Sequence, residues 1–175
     1  MKSLQEYINE SESKTDLSTN KVQPKTKDEL KEIIKDTFEH KQYDLNFINT
    51  SEITDMSKLF MNCKYDFDIS DWDVSNVTDM NHMFYDCDNF NCDLSKWNVS
   101  KVVNMFSTFS SCKKFKGKGL ENWDVSAVID MHYMFYECEN LNCDLSDWDV
   151  SFVSNFGWTF YRCDKMTIPD WYDKL

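Results

Sequence analysis

One sixteen-residue segment constrains the fold of this chain more than any other feature, because it returns with variations through the second two thirds of the sequence. It is clearest at 72–87, where it reads WDVSNVTDMNHMFYDC. Further copies begin at Trp97, Trp123 and Trp148, and a more divergent copy occupies 48–63. Self-similarity at a fixed period is the signature of proteins built from stacked structural repeats.

The spacing of the copies gives the length of the repeat. Their opening tryptophans are separated by 25, 26 and 25 residues, and their closing cysteines by 24, 25, 26 and 25. The longest step contains 116–119, which reads KGKG and which we interpret as a flexible insertion at a turn. A single copy buries too little apolar surface to offset the entropy lost on ordering it, so several copies must stack.

The first half of each copy alternates apolar and polar residues, which predicts a short strand. Trp72 and Val74 then face one side, and Asp73 between them points outward. A serine such as Ser75 follows in every copy, and we interpret its hydroxyl as a backbone cap at a turn. No histidine or cysteine stands at a fixed distance from these serines, so we assign them no nucleophilic role.

The second half of each copy has apolar residues at helical spacing. Met80, Met83, Phe84 and Cys87 fall at positions i, i+3, i+4 and i+7, which predicts one buried face of a two-turn helix. Methionine suits such a face because it fills irregular gaps in a core.

The recurring WDVS, VTDM, MF and C elements resemble the BspA-like leucine-rich-repeat family of the mycoplasma-lipoprotein type. The resemblance covers 44–166 and implies protein binding or adhesion as the activity. It implies an α/β repeat fold: a right-handed leucine-rich-repeat-like solenoid of about five coils of 24–26 residues, each a short strand plus a short helix. Surface members of that family carry a signal peptide, a lipobox cysteine and a wall anchor, which this sequence does not show.

The segments that flank the repeats are predicted to cap them. In 24–43, Thr26 and Glu29 form a capping box, and Leu30, Ile33, Ile34 and Phe38 recur at helical spacing, which predicts a helix ending near His40. We interpret it as an N-terminal capping helix, with a partner-binding helix as the alternative. Residues 167–175 imitate the start of another copy and are interpreted as a C-terminal cap.

The opening ten residues form a short amphipathic segment, and 11–23 is a polar linker. Residues 1–10 resemble the capsid-targeting sequence at the N-terminus of internal head proteins of T-even-type tailed phages, through Met1, Lys2, Ser3, Leu4, Gln5, Glu6, Tyr7, Ile8 and Glu10. In that family the prohead protease cuts after a hydrophobic residue, any residue and Glu. The resemblance therefore implies cleavage between Glu10 and Ser11, with Ile8 at the hydrophobic position; an ordinary amphipathic start is the alternative.

Charge and hydropathy exclude several classes of function. The formal net charge is −12, and 44–175 holds 22 acidic against 11 basic residues. Because binding to phosphates needs lysine and arginine, we expect no nucleic-acid partner. No apolar run approaches the ~20 residues of a membrane-spanning helix and no secretory signal is present, so we expect no membrane association and a location in a virion or the host cytoplasm.

The seven cysteines do not indicate a disulfide framework or a metal site. Their number is odd, and five of them occupy one position of the repeat, so we interpret them as reduced core residues. Cys87 and Cys92 are five residues apart and lack the Cys-x-x-Cys spacing of zinc sites. We therefore expect no metal and no cofactor.

Candidate partner-binding residues lie at outward positions of the repeat. Five are aromatic, namely Tyr85, Tyr133, Tyr136, Trp158 and Tyr161. They either anchor a partner protein or pack sideways against one another, and the sequence favours neither. Three are acidic, Asp73, Asp124 and Asp149, and they either bind a basic partner or weak Ca²⁺ or maintain solubility, the last being favoured.

The function predicted from these residues is a non-enzymatic protein–protein interaction module, encoded by a phage and carried in the virion or acting on a host protein. A structural or decorating component of a phage head is one alternative, and a bacterial surface adhesin is another. The sequence contains no combination of nucleophile, base or metal ligands that indicates an enzyme.

Overall fold

Regular secondary structure is sparse in the computed structural model, which describes residues 21–172. Within that range there is one α-helix, α1 (Lys27–Glu39), and one short 3-10 helix (Leu120–Asn122). No extended strand forms there. Strand-like pairing is limited to isolated parallel bridges, which join Val22 to Ile48, Asp44 to Asp68, and Asp55, Asp79, Asn104, Asp130 and Asn155 in series.

The predicted α/β solenoid of about five coils, each with a short strand and a short helix, is therefore wrong. Where a two-turn helix was predicted, the backbone forms consecutive tight turns, in which the Met83 N–H donates to the Met80 carbonyl at 3.0 Å. His82 and Asp86 have φ of 54° and 57°, in the left-handed region that an α-helix of L-residues excludes. The same two positions are left-handed in the other copies, at Lys58, Asn62, Ser107, Ser111, Tyr133, Glu137, Trp158 and Arg162.

The helix is absent because alternate N–H groups donate to the next copy of the repeat instead of along the chain. His82 donates to the Phe106 carbonyl at 2.9 Å, and Phe84 donates to the Thr108 carbonyl at the same distance. An α-helix would direct both N–H groups to residues four positions earlier. We call this set of backbone bonds between equivalent positions of consecutive copies the repeat ladder. It satisfies the main-chain groups that a helix would otherwise pair internally.

The predicted strand of the first half is also replaced by turns. The Trp72 N–H donates to the Ile69 carbonyl at 3.1 Å, and the Val77 N–H donates to the Val74 carbonyl at 2.9 Å. These local bonds bend the chain every few residues, so the bridges between copies stay isolated and do not extend into a strand within residues 21–172.

The residues predicted to face inward do form the core. Met80, Met83, Phe84 and Cys87 are all fully buried. One phenylalanine of each copy stacks on that of the next, with ring centroids 5.2–5.7 Å apart along Phe60, Phe84, Phe109, Phe135 and Phe160. The inward face is therefore confirmed, although its backbone is not a helix.

The predicted helix at the start of the repeats is confirmed and lies against the first copy. The Thr26 hydroxyl accepts the Glu29 N–H at 3.2 Å, which caps α1. Leu30, Ile33 and Ile34 are buried, and the Phe38 ring lies 5.8 Å from that of Phe67. These contacts cover the N-terminal end of the core.

Trp171 and Tyr172 cover the opposite end of the core. The Trp171 indole N–H donates to the Leu145 carbonyl at 2.8 Å, and its ring stacks on Trp148. The ring of Tyr172 lies 5.2 Å from that of Phe160.

None of the helices formed by residues 21–172 has the length and the apolar composition needed to cross a membrane.

The glycine-containing insertion is tightly packed, in contrast to the flexible turn that was expected. Gly117 and Gly119 are both buried and left-handed, with φ of 81° and 94°. A Cβ atom added at Gly119 would lie 2.2 Å from the Ser95 amide nitrogen. The extra residue of this copy is accommodated only because a glycine backbone approaches the preceding copy directly.

We predict that Gly119→Ala lowers the free energy of unfolding by about 3 kcal/mol, because the methyl group meets backbone at a left-handed position. Gly157→Ala is the matched control, since its methyl group would meet only the His132 imidazole, 2.8 Å away. It should cost about 1 kcal/mol, because a side chain can shift. Urea titration measures both, and an equal loss in the two variants would contradict the packing described for Gly119.

Candidate partner-binding surface

Four of the five predicted aromatic residues form one continuous cluster. Tyr136 stacks on Tyr161 with ring centroids 5.0 Å apart and an interplanar angle of 17°. Trp158 meets Tyr161 edge to face at 5.1 Å, and Tyr133 meets Tyr136 edge to face at 5.4 Å. Residues that belong to two consecutive copies are thus joined by direct ring contacts.

The fifth residue, Tyr85, joins this cluster through two further rings, those of His82 and Phe106. Tyr85 contacts His82 at 5.5 Å, His82 contacts Phe106 at 4.9 Å, and Phe106 contacts Tyr133 at 6.2 Å. We call the whole set the aromatic band; it comprises Tyr85, His82, Phe106, His132, Tyr133, Tyr136, Tyr161 and Trp158. Phe106 and His132 were missed because their position in the repeat holds Ser57, Asn81 and Gly157 in the other copies and shows no apolar pattern.

The rings of the band pack against one another and also remain partly exposed. Trp158 is 53% exposed and Tyr161 is 38% exposed, while Tyr85, Tyr133 and Tyr136 are half-buried. Ser107 and Ser110, which occupy the equivalent positions of the third copy, are buried. The accessible part of the band is therefore concentrated at the last copy.

Backbone geometry and a glycine position the centre of the band. Tyr133 is left-handed with φ of 57°, and its ring meets His132 edge to face at 4.0 Å. The His132 Nδ1 atom is buried and has no hydrogen-bond partner among residues 21–172. It packs against Gly157, whose missing side chain leaves room for the imidazole.

The charged groups at the exposed end of the band are paired. The Arg162 guanidinium lies 5.6 Å from the centroid of the Tyr161 ring and donates to the Glu137 carboxylate at 3.1 Å. The pKa of the Tyr136 hydroxyl is raised, first by desolvation and then by the nearby Glu137 and Tyr161.

The three predicted acidic residues stabilise turns and lie on a different turn from the aromatic band. The Oδ1 atoms of Asp73, Asp124 and Asp149 each accept the N–H of the serine two residues later, at 3.0–3.1 Å. The sequence predicted that the serine hydroxyl caps the backbone at this turn. In the structure the aspartate carboxylate is the cap, because it accepts the backbone N–H of the serine. Hydrogen bonds from the hydroxyl of that serine, and then from its N–H, lower the pKa of all three carboxyl groups.

The remaining predicted site, the processing site at Ile8, Glu10 and Ser11, lies outside the described residues.

Comparison with known protein families assigns the repeats. The family model described as "Mycoplasma protein of unknown function, DUF285" matches residues 28–119 and 112–172, which together span most of the chain. The chain belongs to the DUF285 family. None of the curated proteins and none of the solved structures compared with it matches.

In this DUF285 chain the cysteines are unpaired core residues, as predicted. All seven thiols are free, and Cys112 donates through Sγ to the Phe84 carbonyl of the preceding copy at 2.9 Å. Cys138 repeats this contact with Phe109. Burial raises the pKa of Cys92 and Cys143 to about 12, so these thiols stay protonated at neutral pH.

Two of the carboxylates that line a groove in the first copies of the DUF285 repeats are already engaged. The groove is lined in part by Asp44, Asp66, Asp68 and Asp93. Asp68 accepts the Ser70 N–H at 2.9 Å, and Asp93 pairs with Lys118 at 2.6 Å. Over residues 21–172, no group of three or more His, Cys, Asp or Glu side chains is arranged to hold a metal ion.

We predict that the DUF285 fold loses stability as the pH falls from about 4 towards 2. The turn aspartates have lowered pKa values in the folded state, and that of Asp93 is about 2, whereas an unfolded aspartate titrates near ~3.9. These carboxylates therefore stabilise the fold fully above the pKa of an unfolded aspartate. That stabilisation is lost as the pH falls through their pKa values in the folded state. Urea midpoints measured between pH 2 and 6 test this.

Substitution by asparagine separates charge from hydrogen bonding in this test. Asn98 already occupies the same position in one copy and accepts the Ser100 N–H at 3.1 Å. Asp124→Asn with Asp149→Asn should therefore fold normally and reduce the pH dependence, whereas alanine at both positions should destabilise the fold at every pH. An unchanged pH dependence in the asparagine variant would contradict the assignment.

Proposed function

We propose that this chain is a non-enzymatic protein–protein interaction module that binds its partner through the aromatic band. The observation that carries this proposal is the continuous run of ring contacts from Tyr85 to Trp158, with Trp158 53% exposed at its end. Exposed apolar patches on soluble proteins are typical of interaction sites. Tyrosine and tryptophan are also the residues most enriched among those that dominate binding energies.

The arrangement of the rings supports binding without a large rearrangement. Tyr136 and Tyr161 are held by stacking on each other, and Trp158 is held edge to face against Tyr161. Side chains that are fixed before binding lose little conformational entropy when a partner covers them. The rings therefore provide a preformed surface on which a partner can bury apolar area.

The state of the nucleophilic groups supports a binding role over catalysis. Cys112, Cys138 and Cys163 are buried, which raises the pKa of their thiols, and they donate to backbone carbonyls of the preceding copy. The repeated serines serve the turns, where Ser126 and Ser151 donate their hydroxyl hydrogens to Asp124 and Asp149. These thiols and hydroxyls therefore make hydrogen bonds that stabilise the fold.

Surface charge supports a protein partner over a nucleic acid. The chain has a formal net charge of −12, and its turn carboxylates are kept ionised by their hydrogen bonds to serine. Such a surface repels phosphates and favours a neutral or basic partner surface. The turn column of Asp73, Asp124 and Asp149 adds solubility and long-range attraction to a basic partner.

The more specific part of the proposal concerns origin and location. The repeat motif supports a relationship to the BspA-like proteins, and residues 1–10 support a phage-encoded protein that is packaged in the head. On this proposal the chain acts within the virion or on a host protein in the cytoplasm after delivery. A structural component of the phage head would share the packaging signal but would not need the aromatic band.

The binding role predicts that Trp158→Ala with Tyr136→Ala abolishes retention of a host or virion protein by the tagged full chain. Truncating two aromatic residues of the band should weaken a measured affinity by at least about 30-fold. Retained proteins are identified by mass spectrometry, and the affinity is then measured by calorimetry with the purified partner.

Phe152→Ala is the control for this experiment. Phe152 is 72% exposed and does not belong to the aromatic band. It should leave the affinity unchanged if the band is the binding surface. Two results would overturn the assignment of the surface. One is an equal loss of affinity in Phe152→Ala and in the double variant, and the other is an affinity that neither variant changes.

Packaging predicts that the chain recovered from mature particles begins at Ser11. N-terminal peptides identified by mass spectrometry test this, and Glu10→Ala should leave the segment attached because the protease rule requires glutamate. Particles that contain the uncut wild-type chain, or no chain at all, would contradict packaging but would leave the binding role of the aromatic band untouched.

A further inference from the structure

The third and fourth copies carry large aliphatic side chains at an outer position where the other copies carry hydroxyl residues. Val103 is 39% exposed and Ile129 is 48% exposed. The same position holds Thr54, Thr78 and Ser154 in the other copies, and all three are exposed. Because apolar side chains stabilise a fold through burial, these two contribute little to the core.

The two aliphatic side chains lie side by side. The Ile129 N–H donates to the Val103 carbonyl at 2.8 Å, and the residues that follow them, Asn104 and Asp130, form a parallel bridge. Bridged segments run about 5 Å apart, so outward side chains at equivalent positions are neighbours. Single exposed apolar residues are common on soluble proteins, whereas adjacent ones form a patch. We call Val103 and Ile129 the aliphatic pair.

The aliphatic pair lies beside the aromatic band. In the fourth copy, His132 of the band follows Ile129 by three residues, which limits the distance between their Cα atoms to about 11 Å. Met131 is fully buried, so Asp130 is the only residue between them along the chain that reaches the surface. The third copy has the same order, namely Val103, Asn104, Met105 and Phe106.

The loss of polar residues affects two outward positions in the same two copies. One position holds the aliphatic pair, and the other holds Phe106 and His132 of the band. In the other three copies both positions hold a hydroxyl residue, asparagine or glycine: Thr54 and Ser57, Thr78 and Asn81, and Ser154 and Gly157. A single surface that spans the third and fourth copies accounts for both changes, because the two positions are neighbours.

Asp130 places an acidic group between the aliphatic pair and the band. Its Oδ1 atom accepts the His132 N–H at 2.8 Å, and its Oδ2 atom accepts the Asn155 side-chain amide at 3.2 Å. Both donors are uncharged, and Asp130 forms no ion pair within residues 21–172. A carboxylate without a cationic partner at the edge of an apolar patch is complementary to a lysine or arginine.

We propose that the partner held by the aromatic band also covers the aliphatic pair, and that a lysine or arginine of this partner pairs with Asp130. The inference rests on the proposed binding role of the band, and it defines the partner surface as apolar with a basic side chain. Covering the aliphatic pair removes further apolar area from water, and the charge selects a basic partner over an acidic one. The contact then extends from Trp158 into the third and fourth copies.

Affinities for the purified partner test the aliphatic pair. The probe is the protein that the full chain retains and that the Trp158→Ala/Tyr136→Ala variant loses. Val103→Thr with Ile129→Thr should fold normally, because threonine already occupies this position in two copies. It should lower the affinity at least about 10-fold. Ile168→Thr is the matched control, since Ile168 is 38% exposed outside the band and the pair, and it should change the affinity by less than about twofold.

Asp130→Asn tests the basic group of the partner. Asparagine at the same position of the third copy, Asn104, accepts the Phe106 N–H at 3.0 Å, so the substitution keeps the turn. The affinity should fall about fivefold at low salt, and the difference should vanish near ~1 M salt, where charges are screened. Asp147→Asn is the control: it removes an equal charge at an exposed position outside the patch and should change the affinity by less than about twofold.

Three results would overturn the proposal. Wild-type affinity in the Val103→Thr/Ile129→Thr variant would remove the aliphatic pair from the contact and leave the band as the binding surface. Equal effects of Asp130→Asn and Asp147→Asn would show that only the net charge matters, and would remove the pairing with a basic group. A full chain that retains no protein through Trp158 and Tyr136 would overturn the band and the aliphatic pair together.

Discussion

The architecture depends on where alternate backbone N–H groups send their hydrogen bonds. In each internal copy, residues such as His82 and Phe84 donate to carbonyls of the next copy, while the N–H groups between them close tight turns. Every donor along this segment is paired without a helix or a strand. This arrangement requires left-handed backbone at His82 and Asp86, which is unfavourable for L-residues. The left-handed conformation directs the alternate N–H groups towards the next copy.

Side chains reinforce the same connection between copies. The indole N–H groups of Trp97 and Trp123 donate to the carbonyls of Ile69 and Leu94, at 3.2 and 3.3 Å. The thiol of Cys112 donates to Phe84 in the preceding copy. Each of these carbonyls also accepts a turn N–H from its own copy, so the tryptophan or cysteine of the next copy uses the second lone pair of the oxygen. Tryptophan and cysteine thus recur with the period of the chain because each is both a core residue and a donor to the preceding copy.

The sequence predicted which side chains are buried better than it predicted the backbone that buries them. Met80, Met83, Phe84 and Cys87 are inward as expected, yet their spacing fits a helix and a series of left-handed turns equally well. Helix α1 was predicted because a cap at Thr26 and a long apolar period agree. In the candidate site, the five outward aromatic residues were found from their position in the repeat, whereas Phe106 depends on a contact between copies that no single copy encodes.

The aromatic band follows from the repeat ladder, which brings the rings of consecutive copies into contact from Tyr133 through Tyr136 and Tyr161 to Trp158. Scalar couplings transmitted across hydrogen bonds in a ¹⁵N,¹³C-labelled chain test that ladder most directly. The account predicts correlations from the His82 nitrogen to the Phe106 carbonyl carbon and from the Phe84 nitrogen to that of Thr108. Correlations to Thr78 and Met80, the partners that an α-helix would provide, would contradict it.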